Sequence, residues 1–140
     1  MSRDSLVARA REAMERAYAP YSGFRVGAAL LAEDGSIHTG CNVENASYGL
    51  TLCAERAAVA NAVVRGARQY REIAIVTEGP KAVSPCGACR QVLSELSPHL
   101  HVVSQAEGEL REWALADLLP DAFERSSVRP FVRDSGIKAE

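Results

Sequence analysis

Between Asp4 and Tyr18 the apolar residues Leu6, Val7, Ala10, Ala13, Met14 and Ala17 recur at intervals of three and four. That spacing predicts a helix with one apolar face, capped by Asp4 and stopped by Pro20 and Gly23. Phe24 to Ala32 predicts a buried strand, Asp34-Gly35 is a strong hairpin-turn signal, and Ser36 to Val43 is the partner strand. Thr51 is the expected cap of a second helix running through Cys53 to about Val64, with Gly66 just past its end. Glu72 to Thr77 is a short strand rich in β-branched residues. After a turn at Gly79-Pro80, Pro85 introduces a third helix over about Gly87 to Leu96, and Leu100 to Ser104 is another short strand. Trp113 to Leu119 predicts a last short helix, ended by Pro120. Strands and helices alternating after a hairpin predict an α/β sandwich on a mixed sheet.

No internal repeat, low-complexity tract or linker divides the 140 residues, so one domain over residues 1–140 is expected, with about 125–140 a polar and partly loose tail. With 47% hydrophobic residues the chain can bury a core without disulfide staples. Sixteen basic against eighteen acidic side chains leave a net charge of -2, which argues against a polybasic nucleic-acid surface or an acidic membrane as partner. The first residues lack an apolar stretch long enough for a signal-peptide core, so a cytoplasmic protein is expected. In a reducing compartment the four cysteines then read as metal ligands or redox groups before disulfides.

Cys53-Ala54-Glu55 falls at the start of the second predicted helix, and Pro85-Cys86-Gly87-Ala88-Cys89 opens the third. Cys86 and Cys89 stand three apart, so their thiols face the same way on a first helical turn. Helix N-termini favour the thiolate that binds metal. Cys53 from the neighbouring helix makes three soft ligands for one tetrahedral zinc, with a fourth position for water, as in a catalytic site. Glu55 is off the ligand face and suits a carboxylate that handles the protons of that water. Three thiolates against Zn²⁺ leave a charge of -1, and Arg56 is the candidate cation to hydrogen-bond a cysteine sulfur. Two other readings stand beside this one: a redox dithiol at Cys86/Cys89, and a structural four-cysteine zinc module completed by Cys41, otherwise a small core residue. His38, His99 and His101 have no ligand-like spacing and read as surface or strand positions.

The two cysteine motifs match the three-cysteine variant of the zinc deaminase signature. Together with Tyr21–Ala29, Asn42–Ala46, Ser84–Gln91 and Leu118–Phe123, they make the chain resemble the small homotetrameric cytidine deaminases over nearly its whole length. The resemblance implies a three-layer α/β/α sandwich with a mixed sheet of about five strands. It implies one zinc per chain on Cys53, Cys86 and Cys89, and Glu55 as proton carrier in the deamination of cytidine, and by extension deoxycytidine, with release of ammonia. By the same resemblance Asn42 and Glu44 hold the ribose, and Phe24 packs on the pyrimidine. Ala46 to Tyr48 and Phe123 reach a neighbouring subunit's nucleoside, in a homotetramer with shared pockets. The sequence beyond Glu124-Arg125 departs from the family pattern. Blasticidin S deaminase shares the cysteine core, but the Asn42-Val43-Glu44-Asn45 run favours a ribose. A deaminase acting within RNA or DNA lacks support, since aromatic residues are only 6% of the chain.

Overall fold

A computed structural model describes residues 2–128. Helix α1 spans Arg3–Met14. Its cap is Ser2, not Asp4: the Ser2 side chain accepts from Ser5 N, and Asp4 lies in the first turn, where its charge favours the helix dipole. The helix stops at Met14, short of Tyr18, because the chain turns to bridge Tyr18 to Val43. Tyr18 N donates to the Asn42 carbonyl, and Glu44 N donates to that of Tyr18.

The hairpin is β1 (Val26–Ala32) and β2 (Ile37–Cys41), and Gly35 takes a φ of 88° in its turn. Helix α2 (Ala54–Val64) leads into β3 (Tyr70–Thr77), α3 (Gly87–Leu96) and β4 (His101–Ala106). The sheet order is β2-β1-β3-β4 and then β5 (Glu109–Ala114). Among the named strands of the described residues, β3 and β4 alone pair in parallel, and the crossover through α3 joins them.

Two further segments depart from the sequence expectation. Trp113 is not helical: it lies in β5 opposite Val102, and only Leu115–Leu118 (α4) forms a helix. A turn at Gly108 (φ 74°) returns the chain antiparallel onto β4. As an edge strand β5 exposes most of its residues, so it carries little of the apolar pattern that marks a buried strand. Thr51 does not cap α2 either. It closes a single 3₁₀ turn at Tyr48–Leu50, and Cys53 occupies the N-cap of α2. A last short helix, Arg125–Val128, closes the described chain. The expected tail at 125–140 lies, beyond Val128, outside the described residues.

Side-chain alternation along the strands divides the core into two layers. Ala29, Ala74, Val76 and Val103 pack against Leu6, Val7, Ala10 and Met14 of α1. Leu30, Ile73, Ile75 and Val102 face the other way, onto Ala58, Val59 and Ala62 of α2 and Leu93 of α3. Two glycines allow the helices to lie directly on the sheet. A Cβ at Gly27 would overlap Ala10 O and Met14 N of α1, and one at Gly40 would overlap Ala58 N of α2. Because α2 enters β3 from its C-terminal end and α3 leaves β3 from the opposite end, the N-termini of both helices meet beyond the C-terminal edge of β3. Ligands gather at that edge in α/β sheets.

Gly40 therefore sets the height of α2 above the sheet. Gly40→Ala is expected to lower stability by roughly 1–3 kcal/mol, the usual range for overpacking. Denaturant unfolding should show a fall in midpoint with little change in slope.

Candidate active site

Cys53 and Cys86 are the N-cap residues of α2 and α3, and neither helix has a side-chain oxygen capping its first turn. The sulfurs thus stand where the free backbone N–H groups and the helix dipole favour negative charge. Cys89, in the first turn of α3, is fully buried beside them. The three Sγ atoms lie within 4.8 Å of one another, and Cys53 and Cys86 are 3.9 Å apart. Zinc–sulfur bonds of ~2.3 Å in a tetrahedron put the sulfurs about 3.8 Å apart, so the cluster fits a zinc ion. All four cysteines are free, and Cys41 lies in β2 outside the cluster, with burial pushing its thiol up. None of His38, His99 or His101 joins it; His38 is buried in β2 with Nε2 2.9 Å from Ser36 Oγ.

Charge in the cluster is distributed unevenly. A hydrogen bond from the Cys89 thiol, with help from Arg56, holds Cys53 down to about 5. The same bond and burial push Cys89 up. Arg56 Nη2 donates to Cys53 Sγ at 3.4 Å, which places a guanidinium against that sulfur. Glu55 follows Cys53 by two residues and is 5% exposed, and burial raises its carboxyl above the ordinary range. A carboxyl that holds its proton more tightly than usual, two residues from a sulfur of a cluster able to hold a metal, is suited to carrying protons near neutral pH.

Asn42 and Glu44, just after β2, fasten the 21–26 stretch in a hydrogen-bonded lattice. Asn42 Oδ1 accepts from Val26 N at 2.9 Å, and Asn42 Nδ2 donates to the Phe24 carbonyl at 2.8 Å. Glu44 Oε1 accepts from Tyr21 N and Ser22 N, and its Oε2 accepts from Ser22 Oγ at 2.5 Å. Those bonds hold the Glu44 carboxyl below its usual range. Ser22 Oγ in turn accepts from Phe24 N. Phe24 is pinned at its N–H and its carbonyl while 40% of its surface stays open. Tyr21 and Tyr48 meet edge to face at 6.0 Å, and with Ser22, Glu44 and Thr51 they line a cavity of about 330 Å³. Ala46 lies on the exposed bend that leads to Tyr48. Phe123 is exposed, and its carbonyl accepts from Gln91 Nε2 of α3 at 2.9 Å.

Several residues that hold this arrangement escaped sequence reasoning. Ser22 bridges Glu44 and Phe24, and Glu78 receives Arg25 through its N–H, Nε and Nη2 at 3.2, 2.8 and 2.5 Å. Neither belongs to a motif with chemistry of its own, and only the chain's return to the same place reveals them.

A profile of the family described as the cytidine and deoxycytidylate deaminase zinc-binding region matches residues 1–105. A cytidine deaminase from Sporosarcina psychrophila is 48% identical over 132 residues, 91% of this chain and 96% of that protein. One from Halalkalibacterium halodurans is 50% identical over 125 residues, 88% of this chain and 95% of its own. Among solved structures, a cytidine deaminase from Burkholderia pseudomallei superposes with a TM-score of 0.84 at 51% identity, covering 88% of this chain and all of that one. The enzyme from Mycobacterium tuberculosis superposes with a TM-score of 0.77 at 45% identity, covering 88% and 98%.

Removing the Asn42 side chain would leave Val26 N and the Phe24 carbonyl without their partner. At roughly 1–3 kcal/mol for an unsatisfied buried group, Asn42→Ala should lower the unfolding free energy measurably while zinc analysis still finds the metal bound.

Proposed function

The chain belongs to the cytidine and deoxycytidylate deaminase family, and on that premise we propose that it converts cytidine and deoxycytidine to uridine and deoxyuridine in the cytoplasm. One water is consumed and one ammonia released per turnover. The observation that carries the proposal is the convergence of two helix N-termini on three sulfurs, with a buried carboxylate two residues from the first of them.

Cys53, Cys86 and Cys89 would hold one zinc per chain. Zinc, when bound, supplies Lewis acidity that makes a water acidic enough to attack C4 of the cytosine ring near neutral pH. Glu55 takes the proton that this water gives up and delivers it to ring nitrogen N3. It then carries the second proton to the amino group, which departs as ammonia. Burial supports this role, because a carboxyl with a raised affinity for protons can both accept and return one. Arg56 offsets part of the negative charge of three thiolates through Cys53 Sγ.

Phe24 offers its open surface to the pyrimidine, and Asn42 and Glu44 face the ribose. Each of these polar side chains still has hydrogen-bonding capacity. Asn42 has used one of two donors on Nδ2 and one acceptor position on Oδ1, and Glu44 Oε2 has taken a single donor. Ala46, Tyr48 and Phe123 would contribute to a neighbouring subunit's pocket in a homotetramer. Their support is exposure: Tyr48 and Phe123 are 74% and 62% open in the isolated chain, and exposed aromatics are the residue type enriched where subunits meet.

Purified protein carrying one zinc per chain should convert cytidine to uridine, followed by ultraviolet absorbance. Glu55→Ala should keep its zinc and its fold and lose at least about 10²–10⁴-fold in turnover, the range of general acid–base catalysis. Retention of normal turnover by that variant would remove Glu55 from the mechanism. Light scattering should return four times the chain mass.

A further inference from the structure

The segment that delivers Cys86 to the cluster has an unusual fastening problem. Pro85, immediately before it, is completely buried but has no N–H, so the backbone there can be held only through its carbonyl. Cys86 itself is the N-cap, with no side-chain oxygen closing the helix start, and it is exposed. Arg90, one turn along α3, reaches back to this segment. Its Nε donates to the Pro85 carbonyl at 2.6 Å, and its Nη2 donates to Ser84 Oγ at 2.9 Å. From the same guanidinium, Nη1 donates to the carbonyl of Leu118 at 2.7 Å, in the last turn of α4, where carbonyls lack an intrahelical donor. All three acceptors are uncharged oxygens, and the side chain is partly buried. The planar fork therefore serves three fixed directions, which an ammonium could not satisfy together.

The geometry points to Arg90 as a positioning residue for the metal. It fixes the Cys86 sulfur through the Pro85 carbonyl and Ser84, braced against α4, and so governs how long the three-sulfur site retains zinc. None of these three side-chain hydrogen bonds of Arg90 goes to a sulfur. Arg90 acts on the site by removing the freedom of the one ligand that stands exposed on a proline-led loop. Its neighbour Gln91 binds the Phe123 carbonyl, so consecutive residues of α3 fasten the segment from α4 to Phe123 onto the metal-bearing helix.

This inference rests on the reading of Cys53, Cys86 and Cys89 as zinc ligands, and the experiment separates the two. Zinc content per chain is measured first, and a wild-type protein that holds no zinc removes the ligand reading itself. Zinc release from the loaded protein to a chromophoric chelator is then followed in wild type, Arg90→Gln, Arg90→Lys, Ser84→Ala and the surface control Arg71→Gln. Arg71 pairs with Glu33 away from the site.

Release from Arg90→Gln is expected to be about 10–100-fold faster, the span typical of residues that support metal ligands from outside. Arg90→Lys, which keeps the charge without the fork, should remain faster than wild type. Ser84→Ala should give a smaller acceleration, and Arg71→Gln none. Leu6→Ala, which destabilises the protein from the opposite face of the sheet, should leave release unchanged at a comparable loss of Tm. Wild-type release from Arg90→Gln, full rescue by lysine, or equal acceleration by Leu6→Ala would each overturn the assignment. Should Arg90→Gln fail to fold, the lysine and Ser84 variants carry the same comparison.

Discussion

Three cysteine sulfurs within 4.8 Å of one another would repel as thiolates, and positive potential around them lowers the cost of bringing them together. Here it comes from the first turns of α2 and α3, which begin at Cys53 and Cys86, and from the guanidinium of Arg56. Much of the fold can be understood as the means of meeting that condition. Both helices must start at the same edge of the sheet, so β3 must lie between them in the chain with one connection at each end. Both must also lie close enough for the sulfurs to meet. At α2 this is achieved by removing side chains: Gly40 beneath it, and Ala54, Ala58 and Ala62 on its buried face.

The same condition explains the surroundings of Glu55. Burial by the packing of α2, with the charge of Cys53 beside it, drives the Glu55 carboxyl toward its protonated form, while the Cys89 thiol and Arg56, one residue on, oppose that drive. Adjacent residues on one helical turn thus set opposing fields. Arg56 presents its charge to Cys53, and Glu55 remains in a low-dielectric position where the proton affinity of its carboxyl is raised.

The chemistry-bearing part of this arrangement was legible in the sequence because each ligand sits at a helix start, where local pattern and function coincide. Cys86 and Cys89 share a face by their spacing alone, and Arg56, three residues after Cys53, is one helical turn from its sulfur. The strands β1, β3 and β4 were legible because they are buried and apolar. What was not legible depends on distant returns of the chain. Strand β5 is an exposed edge whose partner, β4, defines it, and its composition resembles a short helix. Thr51 has the right chemistry for a cap but belongs to the 3₁₀ turn that precedes α2. The hydrogen bonds of Asn42, Glu44, Ser22 and Arg90 join residues that no local pattern relates. Their side chains look polar and unremarkable until the fold brings backbone donors and acceptors to them.

The lattice around Phe24 has a consequence for the thermodynamics of whatever settles against it. Asn42 and Glu44 have lost their rotamer freedom on folding, because backbone groups at Tyr21, Ser22, Phe24 and Val26 already occupy part of their hydrogen-bonding capacity. A ligand meeting such a wall does not have to order it. The side-chain entropy of roughly 0.5–1.5 kcal/mol per immobilised residue, normally set against binding, has already been charged to the stability of the protein. Looseness introduced into the 18–26 segment would therefore appear as an unfavourable entropy of association, even with every contacting side chain unchanged.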